Sequence, residues 1–541
     1  MTTIDADRRL RGPYTFAAAL LDLLVPGAPP DLVAAHDIEI RAAAPHLGVA
    51  PHRTSLAQTL PREQRILIPG ARRTLSLANG LAEFVRDRLT EPLTVVVHNL
   101  AEADQTDREL VDVLRRRVPD LTIVEGDARP STAPLPADFD RFRDEGFHHA
   151  MAESGLAALT EAAEDWVLLN RTANALTAIE REDEAWQLLQ RARRACVDPV
   201  HSATIACSMA TLLVRHSDPA RRDPEQALGW INEAIAITSL LPGRRERAFH
   251  LGFDLNAKAL VQVRRGRLDE AERLVQEAIA LAEADLGDEH PIHRLVLYAN
   301  RAQLAAAAGR AEEALADYGR AIAMDPGYPD YYLDRGNLLA RLGRAEEALA
   351  DYETVMRISP PSPEPYYNRA GIRFAGGDHA GALADLDYAV ELDPGFAPAY
   401  VNRSGLLAAM GEYGGARRDV VRGLELEPRN AHLLCVLGQV EAAEGHHARA
   451  RAAFDAALEL QPDLAEAWAS RGALAFELGE AEAAVADLTQ AIKLTETAEL
   501  LFNRAVALRA CGRAAEARED LLRAAELAPD DPDVRRALRE G

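Results

Sequence analysis

The chain has 541 residues, of which 48% are hydrophobic, 27% charged and 5% aromatic, a composition typical of a soluble folded protein. Its formal net charge of −24 disfavours nucleic acid as a partner, because an acidic field repels phosphates. The first residues contain no apolar signal segment, and no apolar run approaches the ~18 residues that a membrane span needs. We therefore expect a cytoplasmic protein with neither a membrane nor a nucleic-acid partner.

Residues 1–128 show no repeat and combine helical with strand-like patterns. The patterns predict three helices, then two strands with a helix between them: helices at about 14–25, 30–45 and 71–90, strands at 92–100 and 121–127, and the intervening helix at about 106–117. A Pro-rich stretch at 129–140 predicts a linker. The sequence thus indicates a small α/β module that precedes the rest of the chain.

The second half of this module, VVVHNLAEADQTDRELVDVLRRR, is similar to the Walker B region of large actinobacterial-type signal-transducing NTPases. Asp104 matches a late acid of that family, whereas His98 and Asn99 stand where its magnesium-binding and catalytic acids belong. The phosphate-cradling pattern GxxxxGK[ST] does not occur, and the two lysines of the sequence, Lys258 and Lys493, lie in predicted repeat helices. The resemblance implies a degenerate NTPase-like module, for which we expect weak or no ATP binding and no hydrolysis.

Residues 141–294 contain irregular and longer helical pairs. Two pairs are predicted at about 165–197 and 199–240, and a third includes GRLDEAERLVQEAIALAEADLGDEHP at 266–291. The third resembles the longer repeat of kinesin light chains, in which LG-x-x-HP closes the second helix.

A fixed period of 34 residues governs the sequence from residue 295. With proline numbered as position 32 of each unit, small residues at 8 and 20 allow two helices to cross closely, glycine at 15 ends the first helix, and proline stops the second. The period and these positions resemble the tetratricopeptide repeat (TPR) family over 295–529, in seven units that start at 295, 329, 363, 397, 431, 465 and 498. We expect an all-α TPR superhelical solenoid of about ten helix-turn-helix repeats, preceded by the small α/β module and followed by a tail at 530–541.

Arginine at position 7 and aspartate at position 23 occur together in six of the seven regular units. In the unit that starts at 431, both are replaced, by Leu437 and Ala453. Because the two residues change together, we predict that positions 7 and 23 touch as a partly buried ion pair, whose replacement by apolar residues is tolerable.

Position 6 should lie on the face of the first helix that lines the groove of a TPR array, opposite the packed positions 4, 7, 8 and 11. Its column is mostly polar and holds Asn300, Asp334, Asn368, Asn402, Val436, Ser470 and Asn503. The column resembles the asparagine ladder of some peptide-binding TPR arrays, where each carboxamide bonds a peptide backbone. The alternative is that these asparagines are simply solvated. Position 5 holds no cation, so the carboxylate clamp of chaperone-binding TPR domains is not expected.

No motif predicts catalysis, a cofactor or a metal site, since the histidine pairs lack HExxH spacing and no GxSxG occurs. The function expected is a scaffold or regulatory adaptor that binds a peptide or protein partner in the groove. Two alternatives remain open: a regulator of the signal-transducing NTPase type that has lost ATP hydrolysis, and an accessory subunit of a partner enzyme.

Overall fold

The computed structural model describes residues 2–56, 60, 70–159 and 165–540. The chain divides into two compact units, residues 1–368 and 369–541. Within the described residues there are 29 α-helices and one small sheet.

The first unit begins with a three-stranded parallel sheet in the order β1-β2-β3. Its strands are β1 Thr2–Asp5, β2 Leu93–His98 and β3 Leu121–Glu125. Thr2 is in register with Val95, and Val95 with Ile123. Val95 and Val97 are buried, so the apolar run of β2 forms the centre of the sheet. Strand β1 is not among the predicted elements, because a run of four residues with a single buried side chain is too short to show an alternating pattern.

Six helices accompany the sheet: α1 Arg8–Arg11, α2 Thr15–Leu24, α3 Pro30–Ala35, α4 Asp37–Ala43, α5 Gly70–Arg88 and α6 Gln105–Arg117. The single helix predicted at 30–45 is in fact α3 and α4, followed by a 3₁₀ turn at Pro45–Leu47. Buried Asp107 fixes the start of α2, because its two carboxylate oxygens accept the N–H groups of Phe16 and Ala17 at 2.9 and 3.0 Å.

The rest of the first unit is helical. Two short helices, α7 Phe139–Asp144 and α8 His148–Ala158, come first. Five antiparallel helical pairs follow: α9 Trp166–Ala178 with α10 Glu182–Ala195, α11 Pro199–Arg215 with α12 Pro224–Thr238, α13 Arg244–Arg264 with α14 Leu268–Asp285, α15 Pro291–Ala307 with α16 Ala311–Met324, and α17 Pro329–Arg341 with α18 Ala345–Ile358. Helix α19 Pro363–Ala375 contains the boundary between the units.

The second unit continues the same pattern to the end of the described chain. After α20 His379–Leu392 its helices are α21 Ala397–Ala409, α22 Tyr413–Leu426, α23 Ala431–Ala443, α24 His447–Leu460, α25 Ala465–Glu477, α26 Ala481–Leu494, α27 Ala498–Ala510, α28 Ala514–Leu527 and α29 Pro532–Glu540. The predicted tail therefore contains a helix, and buried Val534 joins it to the apolar cluster of Leu501 and Ala524. The described part of the chain holds ten helical pairs in total, and the predicted all-α TPR-like solenoid with a small α/β module is confirmed.

Small residues act as the period predicts. The glycine at position 15 of every regular unit has a φ between 73° and 81°, which ends the first helix in the left-handed conformation. At position 8, a Cβ on Gly336 would lie 2.7 Å from the ring of Tyr352, and one on Gly472 would lie 3.1 Å from Leu488. The close helix crossing thus leaves no room for a side chain at Gly336 and little at Gly472, whereas other units accommodate alanine or serine at position 8. Among the described helices, none has the length and apolar character of a membrane span.

Candidate functional site

The six predicted ion pairs between positions 7 and 23 are confirmed. In each pair the arginine Nε and Nη2 donate to the two carboxylate oxygens, at 2.6–2.9 Å and 2.7–2.8 Å: Arg301–Asp317, Arg335–Asp351, Arg369–Asp385, Arg403–Asp419, Arg471–Asp487 and Arg504–Asp520. The hydrogen bond to the aspartate raises the pKa of the Arg301 and Arg504 guanidinium groups. Each of these pairs connects the two helices of one repeat by two hydrogen bonds. The arginines at position 7 therefore have a structural role.

Several of these arginines also reach position 25 of the preceding repeat. Arg403 bonds Asp387 at 2.8 Å and Arg471 bonds Asp455 at 2.6 Å. In the unit without the pair, position 25 of the preceding repeat is Val421, which is 52% exposed. The additional contact is absent from this unit, but it is not a requirement for the pair, because Arg335 keeps its pair although Gly319 stands at position 25 of the preceding repeat.

The polar residues at position 6, which the sequence predicts to bind a ligand, fall into two classes according to their hydrogen bonds. Four of them are hydrogen-bonded to side chains of the preceding repeat: Asn300 to Asn256 at 2.8 Å, Asp334 to Gln303 at 3.0 Å, Asn368 to Asn337 at 2.8 Å and Ser470 to Gln439 at 3.0 Å. In the last three cases the partner is position 9 of that repeat. Burial raises the pKa of Asp334. These side chains bridge neighbouring repeats.

Asn402 and Asn503 form the second class. Both are exposed, and neither has a hydrogen-bond partner within the described residues. Position 9 of the preceding repeat is Gly371 in one case and Ala473 in the other, so no polar side chain is available there. The remaining member of the column, Val436, is 4% exposed. A polar residue at position 9 is the signal in the sequence that distinguishes bridging side chains from unpaired ones.

The surface around Asn402 is open. A Cβ built on Gly371 or on Gly405 meets nothing within 4 Å. Asn402 therefore projects from α21 with glycine at position 9 of its own repeat and of the preceding one. A peptide backbone could approach this carboxamide closely, because two side chains that would stand beside it are missing.

The carboxyl edge of the sheet binds the chain itself. Asn99 has a φ of 56°, its Nδ2 donates to Asp5 Oδ1 at 2.8 Å, and its carboxamide bonds both the N–H and the carbonyl of Arg129. His98 Nδ1 lies 3.0 Å from the carbonyl oxygen of Asp127. Asp104 caps α6 by accepting from the Thr106 N–H at 2.9 Å. Asn99, His98 and Asp104 thus hold the start of the linker, the backbone of Asp127 and a helix end.

One group of acids and histidine in the described chain is close enough to surround a metal ion: Glu441, Glu444 and His446. Arg417 already bonds both glutamates, at 2.9 Å and 2.7 Å. One guanidinium group therefore already provides a positive charge to both carboxylates.

The repeats match two tetratricopeptide-repeat family models. One matches residues 300–363, 401–465, 435–497 and 470–532, and the other matches 254–326. Residues 254–363 and 401–532 are therefore tetratricopeptide repeats. Neither model reaches residues 1–128, and the resemblance of that module to NTPases stays a prediction.

The chain is similar to several solved TPR structures. A TPR protein from Parabacteroides merdae is 20% identical, with a TM-score of 0.30, 53% of this chain covered and 97% of the other. A chain of the APC/C hetero-tetramer Cut9–Hcn1 is 14% identical, with a TM-score of 0.38, 74% of this chain covered and 94% of the other. YrrB, a TPR protein with an unusual peptide-binding site, is 24% identical over 36% and 95%, with a TM-score of 0.28. No curated protein matches.

Proposed function

We propose that the chain is a protein-interaction scaffold that holds an extended polypeptide against the first helices of its repeats. The observation that carries the proposal is the exposed carboxamide of Asn402, which has no hydrogen-bond partner among the described residues and stands beside Gly405 and after Gly371. A carboxamide offers one acceptor and two donors, the groups that pair with a peptide backbone whatever its side chains. Asn503, which is also exposed and has no hydrogen-bond partner in the described part of the chain, offers a second contact of the same kind.

The bridging members of the column have a weaker claim to bind a ligand. Asn300, Asp334, Asn368 and Ser470 would have to exchange an existing hydrogen bond for a new one, which gains little net free energy. Asn402 and Asn503 would exchange only hydrogen bonds to water for hydrogen bonds to a ligand. The proposed ladder of six residues therefore has two primary contacts and four secondary ones.

A peptide library displayed on phage and selected against the full chain supplies the ligand for a test. Gly405→Leu places a side chain in open space beside Asn402, so the fold is retained and the surface is blocked. Gly319→Leu is the matched control, because Gly319 is also helical and a Cβ there also meets nothing within 4 Å. We expect the selected peptides to lose at least tenfold in affinity for Gly405→Leu and to bind Gly319→Leu as they bind the unmodified chain. Equal binding to both variants would exclude this surface.

For the N-terminal module we propose a non-catalytic role. The support is that Asn99 and His98 hold the backbone of Arg129 and Asp127 at the edge of the sheet where an NTPase of this type would place its acids. Isothermal titration calorimetry with magnesium and ATP tests this part of the proposal.

A further inference from the structure

The chain segment after α4 lies on the repeats rather than on the α/β module alone. The Leu56 N–H donates to Asp325 Oδ1 at 2.9 Å, although the two residues are 269 positions apart in the sequence. Asp325 is 2% exposed and follows α16 directly. A buried carboxylate thus binds a backbone N–H of a distant segment.

Backbone meets backbone at the neighbouring turn. A Cβ on Gly327 would overlap the carbonyl oxygen of Thr54 and would lie 2.9 Å from Ser55 Cα. Gly327 does not have a positive φ, so its own conformation does not require glycine. The same position of later repeats holds Pro361, Gly395, Arg429 and Asp463. The turn therefore accepts side chains elsewhere, and at Gly327 it is the approach of residues 54 and 55 that excludes them.

Two leucines of the segment enter an apolar cluster of the repeats. Leu56 and Leu60 pack against buried residues from α15, α16 and the start of α17: Ile292, Leu295, Ala299, Ala321, Tyr328 and Tyr331. The rings of Tyr328 and Tyr331 lie 4.7 Å apart, and no other regular repeat has tyrosine at both positions. The apolar surface is thus particular to this repeat.

The base of the segment is fastened to the α/β module. Arg53 Nε donates to Asp37 Oδ1 at 2.9 Å, and its Nη2 donates to Glu39 Oε2 at 2.8 Å. Both acids are buried. The segment is therefore held at one end by the module and at the other by the repeats.

We propose that the turn after α16 is a peptide-binding site whose ligand is this chain's own segment, the one that contains Ser55, Leu56 and Leu60. Asp325 accepts a hydrogen bond from a backbone N–H, and Gly327 allows the ligand backbone to approach because it has no side chain. Tyr328 and Tyr331 contribute to the apolar cluster against which the leucine side chains pack. The segment keeps this site closed to other leucine-bearing peptides and ties the module to the repeats. This site consists of the turn at Asp325 and Gly327 and the apolar cluster with Tyr328 and Tyr331, and it does not include the surface around Asn402.

A synthetic peptide with the sequence of residues 50–62, labelled with fluorescein, tests the proposal in trans. The double variant Leu56→Asp/Leu60→Asp of the full chain keeps the site intact and weakens its internal ligand. We expect the peptide to bind this variant at least tenfold more tightly than it binds the unmodified chain. Adding Gly327→Val should remove that binding, whereas adding Gly395→Val, at the same turn position of another repeat, should leave it. Equal binding to the double variant and the unmodified chain, or no binding to a folded double variant, overturns the proposal.

Amide hydrogen exchange gives a second measurement that needs no added peptide. In the full chain, Gly327→Val should raise the exchange rate of the peptide fragment with Leu56 at least tenfold, because the segment is displaced. Gly395→Val should leave that rate unchanged. An unchanged rate in Gly327→Val, with a normal melting curve, would also overturn the proposal.

Discussion

Arg369 and Asp385 form a two-point ion pair between α19 and α20, with Nε–Oδ2 at 2.9 Å and Nη2–Oδ1 at 2.7 Å. Arg373 Nη1 donates to the same carboxylate at 2.9 Å. Asp385 is 4% exposed, so this carboxylate compensates two guanidinium groups in a largely dry position.

Asp385→Ala should therefore lower the free energy of unfolding by about 3–5 kcal/mol, because it leaves two partly buried guanidinium groups without their carboxylate. The double variant Arg369→Leu/Asp385→Ala, which reproduces the natural pair Leu437 and Ala453, should be destabilised less. Thermal melts compare the two. As a control, Asp387→Ala removes a carboxylate that is 59% exposed and should cost less than about 1 kcal/mol. A double variant less stable than Asp385→Ala would contradict the pairing.

Two glycines of the same repeat should respond to alanine with opposite signs. Gly411 has a φ of 79°, where a Cβ is strained, and Gly411→Ala should lower stability by about 1 kcal/mol. Gly405 lies inside α21 with open space at its Cβ, and Gly405→Ala should raise stability by about 0.5–1 kcal/mol. Melting temperatures decide between them, and a shift of the same sign in both would show that the helix end is assigned wrongly.

We expect the stability of the fold to depend on pH through the titration of Asp254. Burial raises its pKa from 3.8 to about 7, and the Thr238 hydroxyl lies 2.9 Å from its Oδ2. Between about pH 4 and 7 the folded chain keeps this proton and the unfolded chain loses it, so stability falls as the pH rises, by at most about 1.4 kcal/mol per pH unit.

Asp254→Asn removes this titration and keeps the shape of the side chain. Melting temperatures of both proteins from pH 4 to pH 8 should show the unmodified chain losing stability relative to the variant until about pH 7, the pKa of Asp254. Parallel curves over the whole range would mean that Asp254 titrates normally.

The purified chain should bind ATP weakly or not at all and should not hydrolyse it. The sequence has no phosphate-binding lysine in the module, and Asn99 and His98 hold the backbone of Arg129 and Asp127. Isothermal titration calorimetry with magnesium and ATP measures this directly. A dissociation constant in the low micromolar range, or magnesium-dependent turnover, would contradict the assignment.

The period of the sequence is sufficient to predict contacts within one repeat, such as Arg369 with Asp385, because both residues recur and change together. It does not predict which asparagines are unpaired, since Asn368 and Asn402 have the same position and differ only in what the preceding repeat offers: Asn337 to Asn368, and glycine to Asn402. The period cannot predict the contact of Leu56 with Asp325, because Leu56 lies outside the repeats and no sequence pattern links the two residues.

The central claim is that the Asn402 carboxamide binds a peptide backbone, and a double-mutant cycle with backbone-methylated ligands tests it most directly. Each N–H of a selected peptide is replaced in turn by N–CH₃, and affinities for the unmodified chain and for Asn402→Ala are measured by calorimetry. Asn402→Ala should weaken the parent peptide by about 1–3 kcal/mol. One methylated peptide should bind the unmodified chain as weakly as the parent peptide binds Asn402→Ala. The affinity of that methylated peptide should not fall further in Asn402→Ala. An unchanged affinity of the parent peptide for a well-folded Asn402→Ala would contradict the claim. So would binding free energies in which the effect of methylation and the effect of Asn402→Ala are additive at every peptide position.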